Sequence, residues 1–160
     1  MLKKRYYMLF VDQGMLNLTF VEVIKIISKN IPSNVRWAID GSASLALQGI
    51  DVTPHDIDIL TNREGTIRIQ ESLKKYNVMP ISHSGNEKYD SYFGTFKVKG
   101  IKVEVMGDLM VFRSGKWSAL QNPSTVDIAE INLEGLSIPV VSVKSQTESG
   151  YLSERLKRKE

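Results

Sequence analysis

The chain contains no cysteine, and only two histidines, His55 and His83, stand among its 160 residues. The first absence excludes disulfides, thiolate nucleophiles, zinc ribbons and iron–sulfur clusters. Two histidines are too few for most histidine-rich metal sites. No segment approaches the ~20 apolar residues of a transmembrane helix. The apolar run Tyr6 to Val11 follows Lys3-Lys4-Arg5, but Asp12 and Gln13 end it and no small-residue cleavage site comes after, so it does not read as a signal peptide. The expected location is therefore the cytoplasm, where the sequon Asn17-Leu18-Thr19 has no glycosylating machinery to meet. Internal repeats, low-complexity tracts and proline-rich linkers are lacking too. So are the two common glycine-rich nucleotide loops: neither G-x-x-x-x-G-K-[ST] nor G-x-G-x-x-G occurs, which removes the P-loop and dinucleotide-fold readings.

What remains has the composition of an ordinary globule, 42% hydrophobic and 24% charged, at a length expected for one domain spanning residues 1–160. The net charge of +3 suggests a nucleic-acid partner until it is located. Lys3, Lys4 and Arg5 contribute +3 and the last ten residues a net +2, so residues 6–150 stand at −2. The basic excess forms two solvated ends around a slightly acidic body.

Periodicity outlines an α+β chain with a mixed sheet and helices packed on it. Thr19, with Glu22 at capping-box spacing, begins a helix whose apolar face is Phe20, Val23, Ile24 and Ile27. Val35 to Ile39 reads as a short buried strand. Asp40-Gly41-Ser42 is a turn, with Ser42 the cap of a brief helix over 44–48 that Gly49 ends. A strand follows over 56–60, then a helix over 64–76 with Ile67, Leu73 and Tyr76 on its apolar side. Runs 91–99 and 101–106 form a hairpin around Lys99-Gly100, and 126–133 pairs with 136–141 around Glu134-Gly135. Residues 109–120 are expected to cross the surface, and 142–159 to form one closing helix.

Three acids stand where a strand should be apolar. Asp56 and Asp58, at i and i+2, project from one face of their strand, while Ile57 and Ile59 point into the core. Two like charges so close repel, and a divalent cation relieves the repulsion. Carboxylate oxygens suit Mg²⁺, which takes one or two protein carboxylates and fills its other positions with water and phosphate oxygen. Glu104 repeats the pattern in Val103-Glu104-Val105. If its strand lies beside that of Asp58, the three acids make a one- or two-metal site suited to in-line displacement at phosphorus. A separation beyond roughly 8 Å would exclude a site with metals ~4 Å apart. The turn at Gly41-Ser42 is the second feature: glycine permits close approach of phosphate, and free N–H groups of the helix start with the Ser42 hydroxyl can hold its oxygens.

Gly41-Ser42, thirteen residues, then Asp56-Ile57-Asp58-Ile59 and a later apolar-Glu-apolar strand resembles the DNA polymerase β-like nucleotidyltransferase superfamily. Trp37 to Ser42 with His55 to Ile59 looks most like its lincosamide and aminoglycoside nucleotidyltransferase branch. Gly41 to Asp58 and Gly100 to Asp108 look like small stand-alone proteins of this fold. The resemblance covers roughly residues 35–108. It implies a nucleotidyltransferase fold and transfer of a nucleoside monophosphate from a nucleoside triphosphate, ATP in the first place, with release of pyrophosphate. Carried over, it implies triphosphate binding by Gly41 and Ser42 and Mg²⁺ binding by Asp56, Asp58 and Glu104. Glu104 either shares the metal or accepts the proton of the acceptor hydroxyl. The antibiotic-modifying members usually carry a further acceptor-holding domain, for which the chain leaves little room. The third acid is also Glu where Asp is commoner.

The acceptor stays open between a small hydroxyl compound, a protein side chain such as Tyr or Ser of a partner, and an RNA end. A nucleotide-binding or antitoxin-like module of the same fold without turnover is the alternative; the intact Gly-Ser and all three acids argue against it. RNA binding through the basic ends is disfavoured because no aromatic cluster accompanies those charges. Of the remaining candidates, His55 reads equally as phosphate contact or loop residue, and His83 has no role. Asp108 reads as a turn or cap, Trp37 as core and Trp117 as a possible base-stacking residue. Arg155 and Lys157 read as solvated tail.

Overall fold

The structure, a computed structural model, describes residues 8–11 and 14–159, with side chains described over 16–157. Lys3-Lys4-Arg5 and the Asp12-Gln13 stop lie outside the described residues. Strand β1 (Met8–Val11) pairs antiparallel with β2 (Gly14–Asn17). Helix α1 (Leu18–Asn30) then begins one residue before Thr19, because Asn17, not Thr19, caps it: its side-chain oxygen accepts from Phe20 N–H at 3.0 Å. The expected apolar face is the buried one, with Phe20, Val23, Ile24 and Ile27 all in the core.

The second expected cap is also displaced. Strand β3 (Trp37–Asp40) runs directly into helix α2 (Gly41–Leu47), and Asp40 rather than Ser42 is its N-cap, accepting from Gly41 N–H at 2.8 Å. A carboxylate two residues earlier reaches the orphan donors first and leaves Ser42 inside the helix. Strand β4 (Ile57–Thr61) follows.

Helix α3 (Arg63–Ser72) is shorter than the expected 64–76; a 3₁₀ turn over Lys74–Tyr76 follows it. Its inward face is Thr66 and Ile69, continued by Leu73 at the C-cap, spaced three and four apart, so Ile67 points outward and is 68% exposed. Strand β5 (Asn77–Gly85) forms the sheet edge and is mostly exposed. It gives no alternating signal because backbone pairing to β6 (Tyr89–Val98), not side-chain burial, holds it in place.

Strand β7 (Ile101–Arg113) runs seven residues beyond Met106, and buried Leu109 and Val111 correct the expectation of a surface crossing there. The short β8 (Lys116–Trp117) pairs back onto it. Strands β9 (Ile128–Leu133) and β10 (Leu136–Val141) form the expected hairpin. Three hairpin turns use two successive positive-φ residues, Lys99-Gly100, Ser114-Gly115 and Glu134-Gly135, the twist that two-residue hairpins favour. The closing helix is two helices, α4 (Val143–Glu148) and α5 (Tyr151–Lys159), broken by Gly150 at φ +84°.

The main sheet runs β5-β6-β7-β4-β3-β10-β9, with β4–β7 and β3–β10 parallel and the other pairs antiparallel. This is an α+β mixed sheet. One face packs Ile39, Ile57, Ile59, Phe96, Val103 and Val105 against Ile24, Ile27, Ile69 and Leu73 of α1 and α3. The other face has a smaller apolar cluster of Ala38, Leu60, Leu109, Val111 and Val141. The second face, which neither α1 nor α3 covers, carries the site. Among the described residues no helix is long and apolar enough to cross a membrane.

Candidate active site

Strand register assembles a row of acids. Asp40 of β3 pairs with Asp58 of β4, and Asp58 pairs with Glu104 of β7. Cross-strand partners share a face, so three carboxylates come to lie side by side across three central strands. Asp56, just before β4, joins them: one oxygen each from Asp56, Asp58 and Glu104 lies within 4.8 Å of the others. The three acids singled out in the sequence therefore converge.

This crowding has an electrostatic cost. Burial, and then the charges of Asp56, Asp40 and Glu104, push the Asp58 carboxyl well above the ordinary carboxylate range, with Lys102 opposing the shift. Burial also raises Glu104. The Lys102 ammonium, 3.4 Å from its Oε1, pulls the other way, and Asp56 adds to the rise. Burial raises Asp40 as well, countered by the Gly41 N–H and the Arg113 guanidinium. Closely set oxygen donors whose charges repel are the donor set a hard divalent cation favours, so the Asp56, Asp58 and Glu104 side chains fit Mg²⁺.

Gly41 stands against this cluster. Its φ is +64°, and a β-carbon there would lie 2.6 Å from Asp58 Oδ2 and 3.5 Å from the Tyr151 hydroxyl. The first turn of α2 thus sits directly on the acid row because residue 41 has no side chain. Ser42 is buried next to it. Polar bonds pin α2 at this position: the Ser44 hydroxyl, Gln48 Nε2 and Gln146 Nε2 all donate to the Val141 carbonyl, at 2.6, 2.9 and 3.0 Å. Gln48 Oε1 accepts from Val143 N–H at 3.1 Å. The corner between β10 and α4 is thereby tied to the helix that faces the acids.

The acid row forms one end of a cleft of about 580 Å³. Met106, Leu109 and Val111 of β7 make its floor, Tyr89, Ser91 and Phe93 of β6 one wall, and residues 118–121 with Thr125 and Val126 another. Ser145, Gln146, Glu148, Ser149 and Tyr151 of the two closing helices and their junction, with Arg113, close the remaining side. A concave, largely apolar chamber with a few convergent polar groups at one end has the form of a small-molecule site.

Asp40, Arg113 and Tyr151 belong to this site and were not singled out in the sequence. For Asp40 a signal existed, an acid ending a strand immediately before Gly41. The other two come from segments remote in sequence and carried none. Asp108 is outside the acid cluster and, unlike the expected turn or cap, lies within β7: at φ +51° it accepts from Arg63 N–H at 3.2 Å and from Asn122 Nδ2 at 2.9 Å. His55 is exposed and does not line the cleft. His83 contacts Asp90 at 3.1 Å on the surface. Trp37 packs partly buried against the core, while Trp117 sits edge-on to Phe112, with ring centroids 5.5 Å apart, outside the cleft. Arg155 donates to the Thr53 carbonyl at 3.2 Å, and Lys157 is exposed.

The sequence model of the aminoglycoside-2''-adenylyltransferase family matches residues 22–159. Comparison with curated protein sequences gives no match. Among solved structures, a candidate nucleotidyltransferase from Thermotoga maritima is similar, at 30% identity and a TM-score of 0.79 over 91% of each chain. A lincosamide antibiotic adenylyltransferase solved with lincomycin has 15% identity and a TM-score of 0.48, over 81% of this chain and 82% of the other. An antigenic nucleotidyltransferase-like protein from Paracoccidioides brasiliensis has 16% identity and a TM-score of 0.48, over 84% of this chain and 66% of the other.

Proposed function

Since the chain belongs to the aminoglycoside-2''-adenylyltransferase family, a family of nucleotidyltransferases, we propose that it uses Mg²⁺ to transfer a nucleoside monophosphate, AMP from ATP in the first place, to an acceptor hydroxyl. The observation that carries this reading is the convergence of Asp56, Asp58 and Glu104 within 4.8 Å, next to a helix start that has no side chain at Gly41. The unit that acts is residues 1–160 as one nucleotidyltransferase-like domain.

In this reading Asp56 and Asp58 would hold Mg²⁺, and Glu104 either shares it or accepts the proton of the acceptor hydroxyl. The bound metal would neutralise triphosphate charge and polarise the phosphate under attack. Gly41, whose N–H donates to Asp40, leaves room for phosphate oxygens at the start of α2, and the Ser42 hydroxyl would hold them. The acceptor oxygen forms its bond to the α-phosphorus as the bond to the bridging oxygen breaks, and that electron pair leaves with pyrophosphate. The acceptor proton passes to Glu104 where that carboxylate is not itself a metal ligand. The apolar floor of Met106, Leu109 and Val111 keeps water from competing with the acceptor.

The acceptor is a hydroxyl of a small compound, of a protein Tyr or Ser, or of an RNA end; the family's description makes an aminoglycoside hydroxyl one case to test. The decisive assay incubates the full chain with each α-labelled nucleoside triphosphate, Mg²⁺ and fractionated cell extract. Label should pass to one fraction. The Asp58→Asn variant should lower the rate at least ~10²-fold, as loss of a charge-stabilising group does. Nucleotide binding without transfer to any fraction would instead identify a binding module of the same fold.

A further inference from the structure

Strand β7 should carry alternate residues to opposite faces, which would put Glu104 and Arg113, nine positions apart, on opposite sides of the sheet. They share a side. While β6 advances two residues, from Asp90 to Tyr92, β7 advances three, from Met110 back to Gly107. The extra residue is a β-bulge at Asp108, in the left-handed region at φ +51°. Glu104 and Met106 before the bulge, and Leu109, Val111 and Arg113 after it, therefore all line one cleft.

Arg113 is the one basic side chain among the described residues that line the cleft. It is held rigidly. Nε donates to Glu154 Oε1 at 2.9 Å and Nη1 to the Ser149 carbonyl at 2.8 Å. Its stem lies against Gly150, where a β-carbon would meet Arg113 Cδ at 3.4 Å. The next residue, Tyr151, brings its hydroxyl to Gly41. The guanidinium is thus anchored beside the helix start already assigned to phosphate, and its charge is felt at Asp40. A guanidinium has five N–H donors, and these bonds use two; the remaining Nη hydrogens form the planar fork that binds phosphate oxygens in pairs.

We propose that Arg113, carried onto the catalytic face by the Asp108 bulge, binds the β- and γ-phosphates of the nucleotide and retains the pyrophosphate product. This proposal rests on the nucleotidyltransferase reading but is separable from it. It gives the cleft a cation beside Asp40 and the start of α2, next to the acid row, so that the leaving phosphates are held between the guanidinium and the helix start.

The test titrates pyrophosphate, α,β-methylene-ATP and adenosine, each with and without Mg²⁺, into the full chain by calorimetry. The variants are Arg113→Met, Arg113→Lys and Asp58→Asn, with melting temperature as the fold control. Arg113→Met should weaken pyrophosphate and the ATP analogue at least tenfold and leave adenosine unchanged, and Arg113→Lys should recover part of the loss. Unchanged pyrophosphate affinity in Arg113→Met overturns the proposal. So does an equal loss for adenosine, which a purely structural role would produce, or a wild type that binds no pyrophosphate. If Arg113→Met does not fold, Arg113→Lys decides by the same split between pyrophosphate and adenosine. Failure of the underlying reading looks different: pyrophosphate binding would depend on Arg113 but be indifferent to Mg²⁺ and to Asp58→Asn.

Discussion

Gly41 meets two demands that no other residue meets together. Its φ of +64° belongs to the left-handed region, and the space where a β-carbon would sit is taken by Asp58 Oδ2 at 2.6 Å. Gly41→Ala therefore adds backbone strain of about 1–2 kcal/mol and pushes the Asp58 carboxylate out of line with Asp56 and Glu104. The expected result is a melting temperature lower by roughly 3–8 °C and a weakened Mg²⁺ affinity, read by thermal denaturation and metal titration; a variant as stable and as tight as the parent would contradict this geometry. At this scale much of the site was legible. Asp56, Asp58 and Glu104 stood out because acids at inward-alternating positions of apolar strands need a reason. The sequence favours Ser42 as the cap, but a carboxylate and a hydroxyl two residues apart compete for the N–H groups of one helix start. Only backbone geometry shows that Asp40 takes them.

Between elements, the packing of α3 on β7 depends on another glycine. A β-carbon at Gly107 would lie 2.3 Å from Thr66 Cγ2 and 3.1 Å from the Asn62 carbonyl oxygen, so the helix rests directly on the strand backbone. Gly107→Ala is expected to destabilise by about 1–3 kcal/mol through overpacking. Adding Thr66→Ser, which removes the clashing methyl and keeps the hydroxyl bonded to the Arg63 carbonyl, should recover part of that loss in denaturant melts. Failure of the double variant to recover anything would place the strain elsewhere. Element identity was legible in α1, where burial was one-sided, in β4, where acids alternate with apolar residues, and in the β9–β10 hairpin. It was not legible for β5, which lies exposed on the sheet edge, nor for the far half of β7. There the bulge at Asp108 breaks the alternation on which strand recognition depends, and the run 109–113 reads as a surface crossing.

For the whole molecule, the raised Asp58 and Glu104 carboxyls link stability to pH and to metal. Their ordinary values are 3.8 and 4.5, and both rise in the folded chain. The metal-free folded state then holds more protons than the unfolded state in the interval above those values, so these two groups lower stability as pH rises through it. In chelator, the melting temperature of Asp58→Asn relative to wild type should increase from pH 4 towards neutrality, because the variant lacks the buried charge. Saturating Mg²⁺ should stabilise the wild type increasingly with pH and the variant much less. A difference that does not change with pH would mean that neither burial nor the neighbouring acids raise the Asp58 carboxyl in the folded state.

The mixed α+β class, the two expected hairpins, the α1 face and the identity of three acids followed from the sequence alone. Each depends on local periodicity or on spacing along the chain, and both survive without knowledge of what lies across the sheet. Tertiary structure alone decided that Asp40 joins the acid row and that α2 starts against Asp58. It also decided that Arg113 and Tyr151, 55 or more residues from Asp58 in the chain, close the same cleft. Those facts depend on strand register, on one extra residue in β7 and on where the last two helices return. They arise from contacts between distant segments, which no local pattern encodes.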